Sequence, residues 1–166
     1  MNRCSWCNLK NQKYVDYHDN EWCVLNMDER YLYEMFILES FQAGLSWECV
    51  LNKREAFLKA YDNFDIDKVV KYDDVKIEEL RNNKNIIRNR LKIQASINNS
   101  KIYMNIVNEF GSFYNYLSHF SGGRIFYEIG KTTSALSDKI SFDLRCRGMK
   151  FVGSTIIYSY LCAVGI

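Results

Sequence analysis

The sequence contains no proline and only eight glycines in 166 residues. Sandwiches and barrels built from β-strands need many tight turns, and such turns depend heavily on these two residue types. Their scarcity therefore indicates helices joined by short connections, and we predict an all-α fold. Hydrophobic residues make up 48% of the chain, which is enough to build a core and excludes a disordered chain.

The chain also lacks a long apolar run and a strong charge of either sign. No stretch is long enough to span a membrane, and the first residues lack the apolar core of a signal peptide. We therefore expect a cytoplasmic protein with no membrane partner, whose six cysteines are reduced thiols or metal ligands. The net charge of +2 does not by itself indicate nucleic-acid binding, so any basic surface must be local.

Hydrophobic spacing and N-cap residues predict the order of the elements. Residues 1–26 show no periodicity and are predicted to be irregular. The predicted helices run from the cap Asp28 through Leu45, from the cap Ser46 to about residue 60, after Asp65, after Asp73, and over residues 86–110, 112–119, 136–147 and 154–163. No linker or internal repeat interrupts them, so we predict a single domain over residues 1–166.

Glu39 is the most informative residue of the chain. Its neighbours Leu32, Met35 and Phe36 recur at spacings of three and four, which predicts that they share one face of a helix. That helix is apolar nearly all round, which is typical of a buried helix. A carboxylate there costs roughly several kcal/mol unless a cation or hydrogen-bond donors meet it. Glu39 therefore either has a structural partner or receives a ligand.

Aromatic residues accompany Glu39 in the sequence, namely Tyr14, Tyr17, His18, Trp22 and Trp47. Flat rings around one buried acid suit a planar, electron-poor ligand such as a flipped nucleobase, which the rings stack on and whose polar edge the acid contacts. A cationic base would also gain cation–π attraction. A set of aromatic residues that anchors the N-terminal segment to the core explains the same pattern without a ligand.

Residues 80–92 predict a helix-hairpin-helix, with a tight polar turn over residues 82–85 and a second helix that starts near Ile86. Free N–H groups at that helix start favour phosphate as a partner. Basic residues gather at the same place, namely Arg81, Lys84, Arg88, Arg90 and Lys92. A solvated helix face with ordinary basic residues is the alternative.

Cys4 and Cys7 form a C-x-x-C pair, and His18 and Cys23 follow it. Such a pair followed by histidine is typical of a zinc site, although the later spacing matches no standard finger closely. Scattered reduced thiols explain the pattern equally well.

These elements occur together in a known family. Five segments closely resemble DNA-3-methyladenine glycosylase I, and they are RCSW at 3–6, YHDNEW at 17–22, LESFQAGLSW at 38–47, NIIRNRLKI at 85–93 and KFVG at 150–153. The resemblance runs from residue 3 to residue 164. It implies a helix-hairpin-helix DNA glycosylase fold, with the hairpin at about residues 75–107. The implied activity is bacterial base-excision repair, in which N3-methyladenine is removed from alkylated double-stranded DNA by cleavage of its N-glycosidic bond.

The resemblance also implies roles for particular residues. Glu39 is the acid that contacts the flipped base, with Tyr17 beside it as the second catalytic residue. Tyr14, Trp22 and Trp47 complete the base pocket. Leu45 fills the gap that the flipped nucleotide leaves, and the DNA-binding hairpin comprises Lys84, Asn85, Ile86, Arg88 and Arg90.

The family is understood to lack the aspartate that supports water attack in related helix-hairpin-helix glycosylases. N3-methylation gives the base a formal positive charge, so the leaving group is already activated. The enzyme then needs mainly to select and hold the cation. We accordingly expect a monomer with no catalytic cofactor.

The family's structural zinc is expected to join counterparts of Cys4 and His18 to a His and a Cys from a C-terminal tail. This sequence ends at Gly165-Ile166, about where the tail is expected, so only half of the metal site is in it. Three alternatives stay open. Zinc is missing, Cys7 or Cys23 completes a rearranged site, or the tail is missing from the sequence.

Three functions compete at this point. The first is a 3-methyladenine glycosylase. The second is a non-catalytic relative that binds damaged DNA and has lost its C-terminal tail. The third is a small zinc module for protein contacts, which rests on Cys4, Cys7, His18 and Cys23.

Overall fold

The computed structural model describes residues 3–166, and over that range the chain forms ten α-helices and no strand, which confirms the all-α prediction. In chain order they are α1 Gln12–Asn20, α2 Glu29–Gln42, α3 Trp47–Leu51, α4 Arg54–Ala60, α5 Ile66–Val69, α6 Asp74–Asn82, α7 Arg90–Phe110, α8 Phe113–Ser121, α9 Ala135–Cys146 and α10 Ser154–Val164. A 3₁₀ turn, Asp62–Phe64, joins α4 to α5. None of these helices is both long and apolar enough to cross a membrane.

Short polar side chains start the helices as the sequence predicts. The carboxylate of Asp28 accepts a hydrogen bond from the N–H of Tyr31, and the hydroxyl of Ser46 accepts one from the N–H of Cys49. Asp65 and Asp73 cap α5 and α6 in the same way. Each cap satisfies an N–H that has no acceptor within its own helix.

Two predictions about the first 60 residues were wrong. Residues 1–26 were predicted to be irregular, but α1 occupies part of them and buries Tyr14, Val15 and Tyr17. Only three of its nine residues are buried, so its apolar periodicity is too weak to be seen in the sequence. The helix predicted from Ser46 to about residue 60 is also interrupted, because α3 ends at Leu51 and α4 starts at Arg54.

The start of the long helix α7 was also predicted wrongly. It begins at Arg90 rather than near Ile86, because the side chain of Asn89 caps it by accepting from the N–H of Lys92 at 3.1 Å. Ile86 is buried, so the chain dips into the core before the helix begins. Residues 83–89 are therefore a loop between α6 and α7, which pack against each other as a helix–loop–helix pair.

The helix α2 forms the centre of the fold. Every residue from Leu32 to Phe41 is buried, as expected for a helix that is apolar on all sides. It contacts α3, α7, α8 and α10, and the hydroxyl of Tyr160 on α10 donates to the carbonyl of Leu32 at 3.1 Å. The protein therefore places Glu39 on its most enclosed element.

A buried ion network fixes α4 against α2. Arg54 donates from Nε to Glu34 and from Nη1 to Glu21, both at 2.7 Å. The side chain of Glu34 is only 5% exposed, so its charge depends mainly on Arg54, with Arg30 of the same helix farther away at 3.6 Å. Glu21 directly follows α1 and precedes Trp22, so the same arginine also fixes the segment that carries Trp22.

We expect Arg54→Met to lower the free energy of unfolding by about 3–5 kcal/mol, because it leaves the buried carboxylate of Glu34 without its main partner. Denaturant unfolding followed by circular dichroism measures this. The control is Lys13→Met, which removes an exposed ion pair with Glu55 and should leave the unfolding midpoint nearly unchanged. Equal losses in the two variants would contradict a buried network.

Candidate functional site

A cavity of about 300 Å³ lies where the C-terminal end of α2 meets α1 and α10. Its lining consists of Trp6, Tyr14, Trp22, Glu39, Gln42, Trp47, Lys131, Thr132, Thr155, Tyr158, Ser159 and Cys162. A volume of this order accommodates a small planar molecule the size of a nucleobase. Four of the predicted pocket residues line it, namely Tyr14, Trp22, Glu39 and Trp47.

Glu39 reaches this cavity from the last turn of α2 and is only 1% exposed. Its Oε2 atom has no hydrogen-bond partner, and within residues 3–166 no cationic side chain forms an ion pair with it. Burial raises the pKa of this carboxyl group well above its ordinary value, because no nearby charge stabilises the ionised form. The structure therefore rejects the alternative in which Glu39 belongs to a structural ion pair.

Three further buried polar atoms also lack partners in the described part of the chain, namely the Tyr17 hydroxyl, the Gln42 Oε1 atom and the Trp47 indole Nε1. Native interiors seldom leave such groups unpaired. Gln42 and Trp47 line the same cavity as Glu39. Donors and acceptors that have no protein partner and converge on one cavity are suited to a ligand with a polar edge.

The predicted aromatic residues do come together. The Tyr17 ring lies between those of Trp47 and Trp22, at centroid distances of 5.3 and 6.1 Å. Tyr17 is buried behind the cavity lining rather than within it. Trp6 is the residue that sequence reasoning missed, since its ring lies 5.2 Å from those of Tyr14 and Trp22. The RCSW segment contains Trp6, but nothing in the sequence indicated its position.

Other lining residues were also missed. Gln42 lies three positions after Glu39, so helical spacing could have identified it. The residues from α10, which include Thr155 and Ser159, lie more than a hundred positions along the chain, and no local pattern signals their arrival. Lys131 and Thr132 reach the cavity from the loop between α8 and α9.

The loop between α6 and α7 exposes most of the predicted DNA-binding residues. Lys84, Asn85, Arg88 and Arg90 are exposed, whereas the side chain of Ile86 is buried, so Ile86 could reach this surface only through its backbone. Arg90 lies 3.6 Å from Glu78, while Lys84 and Arg88 form no ion pair in the described chain. The free N–H groups at the start of α7 belong to Arg90 and Leu91 rather than to Ile86.

Lys53, on the connection between α3 and α4, also lies at the surface of this loop, although it was not among the predicted DNA-binding residues. Its ammonium group donates to the carbonyl of Asn85 at 3.3 Å. Lys13 and Lys59 line the same shallow depression, so the surface beside the loop is basic. No local sequence pattern indicates this surface, because these lysines come from segments distant from the loop.

Lys92 was expected in the same basic cluster, but the structure places it inside the protein at 6% exposure. Its ammonium group donates to the carbonyls of Phe41 at 2.8 Å and Ala43 at 2.5 Å. These carbonyls lie at the end of α2, immediately before Leu45, which is 41% exposed. Lys92 therefore links the start of α7 to the segment that carries Leu45.

Cys4 and His18 are neighbours, but they do not form a metal site as they stand. The backbone N–H of Cys4 donates to His18 Nε2 at 3.1 Å, and Nδ1 of His18 lies 3.0 Å from Asp19. Both ring nitrogens are therefore engaged. Within residues 3–166 no group of three or more His, Cys, Asp or Glu side chains could hold a metal ion.

Within residues 3–166, neither Cys7 nor Cys23 joins Cys4 and His18 in a group that could hold a metal ion. The buried thiol of Cys7 points towards the carbonyl of Tyr14, at 3.8 Å. The backbone N–H of Cys23 donates to the carbonyl of Cys162 at 3.0 Å, so Cys23 lies against α10. The described residues do not fit the expected metal, and the zinc module for protein contacts loses its basis.

Known proteins resemble this chain over nearly its whole length. The model of the methyladenine glycosylase family matches residues 6–166. DNA-3-methyladenine glycosylase 1 of Escherichia coli (strain K12) is 41% identical, and the match covers 100% of this chain and 91% of the relative.

Solved structures agree with this match. A crystal structure of 3-methyladenine DNA glycosylase I superposes with a TM-score of 0.94 at 38% identity, covering 99% of this chain and 93% of that one. The Staphylococcus aureus enzyme of the same name, solved to show the structural basis of 3-methyladenine recognition, has a TM-score of 0.92 at 33% identity and covers 99% and 90%. With Glu39, the aromatic cavity and the helix–loop–helix in place, these similarities show that the chain belongs to the methyladenine glycosylase family.

Proposed function

We propose that this protein is a base-excision repair N-glycosylase that flips N3-methyladenine out of alkylated double-stranded DNA and hydrolyses its N-glycosidic bond. The observation that carries the proposal is the buried, unpaired carboxyl group of Glu39 in an aromatic cavity. The Escherichia coli and Staphylococcus aureus relatives are both named for 3-methyladenine, which supports the same substrate.

The chemistry of the lesion explains why an uncompensated acid suits this cavity. Adenine methylated at N3 carries a formal positive charge, so the base itself supplies the cation that Glu39 lacks. Because Glu39 is buried, the ion pair between them is stronger than it would be in water. Stacking against Trp22 and Trp47 adds roughly 1–3 kcal/mol per base. Gln42 Oε1 and the indole N–H of Trp47 offer further polar contacts to the edge of the base.

The cleavage step then needs little from the protein. Loss of the methylated base neutralises its charge, so the base is a good leaving group without protonation, and water adds to the sugar carbon that it leaves. Glu39 and Tyr17 act by holding the base in position, and the proposal involves no catalytic cofactor. The cost of flipping is a few kcal/mol, roughly, and is lower for a weakly paired damaged base.

The exposed surface beside the cavity suits double-stranded DNA. Leu45 projects from the segment after α2 and is placed to fill the gap that the flipped nucleotide leaves. Lys84 and Arg88 have no acidic partner within residues 3–166 and would contact phosphate together with the N–H groups at the start of α7. Action as a monomer in the bacterial cytoplasm stays part of the prediction.

We expect the folded wild-type protein to release 3-methyladenine from methylated duplex DNA, measured by chromatography of the freed base. Glu39→Gln should lower the excision rate by about 100-fold, because the amide removes the charge that pairs with the base. Its affinity for undamaged duplex should stay unchanged.

Glu109→Gln, which alters an exposed carboxylate far from the cavity, is the matched control and should excise normally. No release by folded wild-type protein would overturn the proposal, and retention of methylated DNA without release would favour the non-catalytic relative. If Glu39→Gln lost affinity for damaged and undamaged DNA equally, Glu39 would be a structural residue.

The raised pKa of Glu39 should be visible in how the stability of the free protein depends on pH. Because burial raises the pKa of Glu39, the folded state holds this proton more tightly than the unfolded state. Above the ordinary value of 4.5 the unfolded state releases its proton first, so the contribution of Glu39 to stability declines as the pH rises. We expect Glu39→Gln to be more stable than wild type, by a margin that grows between about pH 5 and about pH 8. Urea unfolding at the two pH values tests this, and a less stable variant at both would contradict it.

The loop between α6 and α7 should contribute through charge alone. We expect Lys84→Ala and Arg88→Ala each to lower the slope of log K against log[salt] by about one, equally for damaged and undamaged duplex. Lys101→Ala, an exposed position farther along α7, should leave the slope unchanged. Fluorescence anisotropy over a salt series measures the slopes, and a loss confined to damaged DNA would be inconsistent with a phosphate contact.

A further inference from the structure

We propose that Lys92 is a positioning residue that holds the segment Ala43–Leu45 in the shape needed to insert Leu45 into DNA. This inference rests on the proposed function and adds a residue to it. Lys92 would thereby couple phosphate binding at the start of α7 to extrusion of the damaged base.

The contacts of Lys92 are concentrated on one short stretch of chain. Its ammonium group donates to the carbonyls of Phe41 and Ala43, while the carbonyl of Gln42 accepts from the N–H of Leu45 at 2.6 Å. Three successive carbonyls at the end of α2 are therefore satisfied. The end of a helix leaves such carbonyls without intrahelical donors, and here a side chain from another helix supplies two of the donors.

The positive charge of Lys92 is stabilised by the dipole of α2 and destabilised by the dipole of its own helix, α7. Lys92 lies in the first turn of α7, where the helix dipole disfavours a cation, and burial lowers the pKa of its ammonium group. The end of α2 favours a cation for the same reason. Within residues 3–166 no carboxylate forms an ion pair with Lys92, so the carbonyls of α2 are its principal partners.

The segment that Lys92 holds has a backbone that needs support. Ala43 leaves the helical conformation with φ −45° and ψ 113°, and Gly44 follows with φ +77°. A positive φ is accessible to glycine without strain, but glycine also makes the segment flexible. Leu45 comes directly after Gly44, and fixing the carbonyl of Ala43 therefore limits where Leu45 can point.

The same residue is fixed to the DNA-binding loop. The backbone N–H of Lys92 donates to the side chain of Asn89, the N-cap of α7, one position after Arg88. A shift of this loop against phosphate therefore moves both the cap and Lys92. Through the carbonyl of Ala43, that movement reaches Leu45.

The first test replaces Lys92 with methionine, which keeps an unbranched apolar side chain of similar length and removes the ammonium group. We expect excision from methylated duplex to fall by about 10- to 100-fold, with affinity for free 3-methyladenine unchanged. Lys101→Met, the same substitution at an exposed position of α7, should excise normally. If free-base affinity fell as far as excision, Lys92 would be only a support of the pocket, and the inference would fail.

The second test is a double-mutant cycle with Leu45→Ala. If Lys92 acts through Leu45, the double variant excises no more slowly than the slower single variant. Additive losses would mean independent roles and would overturn the inference. Lys92→Arg keeps the charge and the donors but changes how far they extend. If the methionine variant does not fold, Lys92→Arg replaces it in the cycle with Leu45→Ala, and the same two outcomes decide for or against the inference.

The third test needs DNA binding but no catalysis. Duplex DNA carries 2-aminopurine beside a stable abasic-site analogue, so that insertion of Leu45 unstacks the probe and raises its fluorescence. We expect Lys92→Met to lose this rise as fully as Leu45→Ala does, and an unchanged rise would overturn the inference. If wild-type protein gives the rise and Lys92→Met does not, but wild type releases no 3-methyladenine, the proposed function is defeated while the role of Lys92 is supported.

Discussion

The organisation of this protein depends on one unfavourable feature, a carboxyl group in the core with no counter-charge. Glu39 lies on α2, whose preceding residues from Leu32 onwards are all buried, and its Oε2 atom has no partner. The other buried acid of the described residues, Glu34, is paired with Arg54. The fold can hold Glu39 in this state because α2 is enclosed on several sides by α3, α7, α8 and α10. The favourable packing of the rest of the core therefore offsets the free-energy cost of burying Glu39, which persists until a ligand binds.

Interactions at the end of α2 keep this site in a defined shape. Lys92 and the N–H of Leu45 occupy the last carbonyls of the helix and fix the path of the chain from Gln42 to Leu45. On the opposite side, Arg54 fixes Glu21, the residue before Trp22. The cavity is thus held by charged contacts outside it, and its own polar atoms are left free for the base. This is how preorganised sites avoid reorganisation when charge appears.

The sequence was sufficient to predict the helical fold and the N-caps, because both depend on local residue spacing. It also showed the importance of Glu39, because this residue is an acid in an otherwise apolar segment. It was insufficient for α1, which buries too few residues to show a period, and for the start of α7, where the burial of Ile86 and the cap at Asn89 decide the boundary. Lys92 was misassigned for a related reason. A lysine in a basic stretch is indistinguishable from its neighbours until the end of another helix is known to lie against it. The contributions of Trp6 and of α10 to the cavity depend on tertiary packing alone.

An acid without a counter-charge also explains how such a site discriminates against unmodified adenine. Neutral adenine has the same rings to stack and nearly the same shape, so aromatic contacts alone distinguish it poorly from the methylated base. With neutral adenine in the cavity, Glu39 must stay protonated or remain an unpaired buried charge, and either state forgoes the ion pair. With the methylated cation the carboxyl group can ionise against a charge that is also being removed from water. Discrimination then arises from the low dielectric of the cavity, so a cation supplied by the protein beside Glu39 would improve the stability of the free enzyme and remove its selectivity.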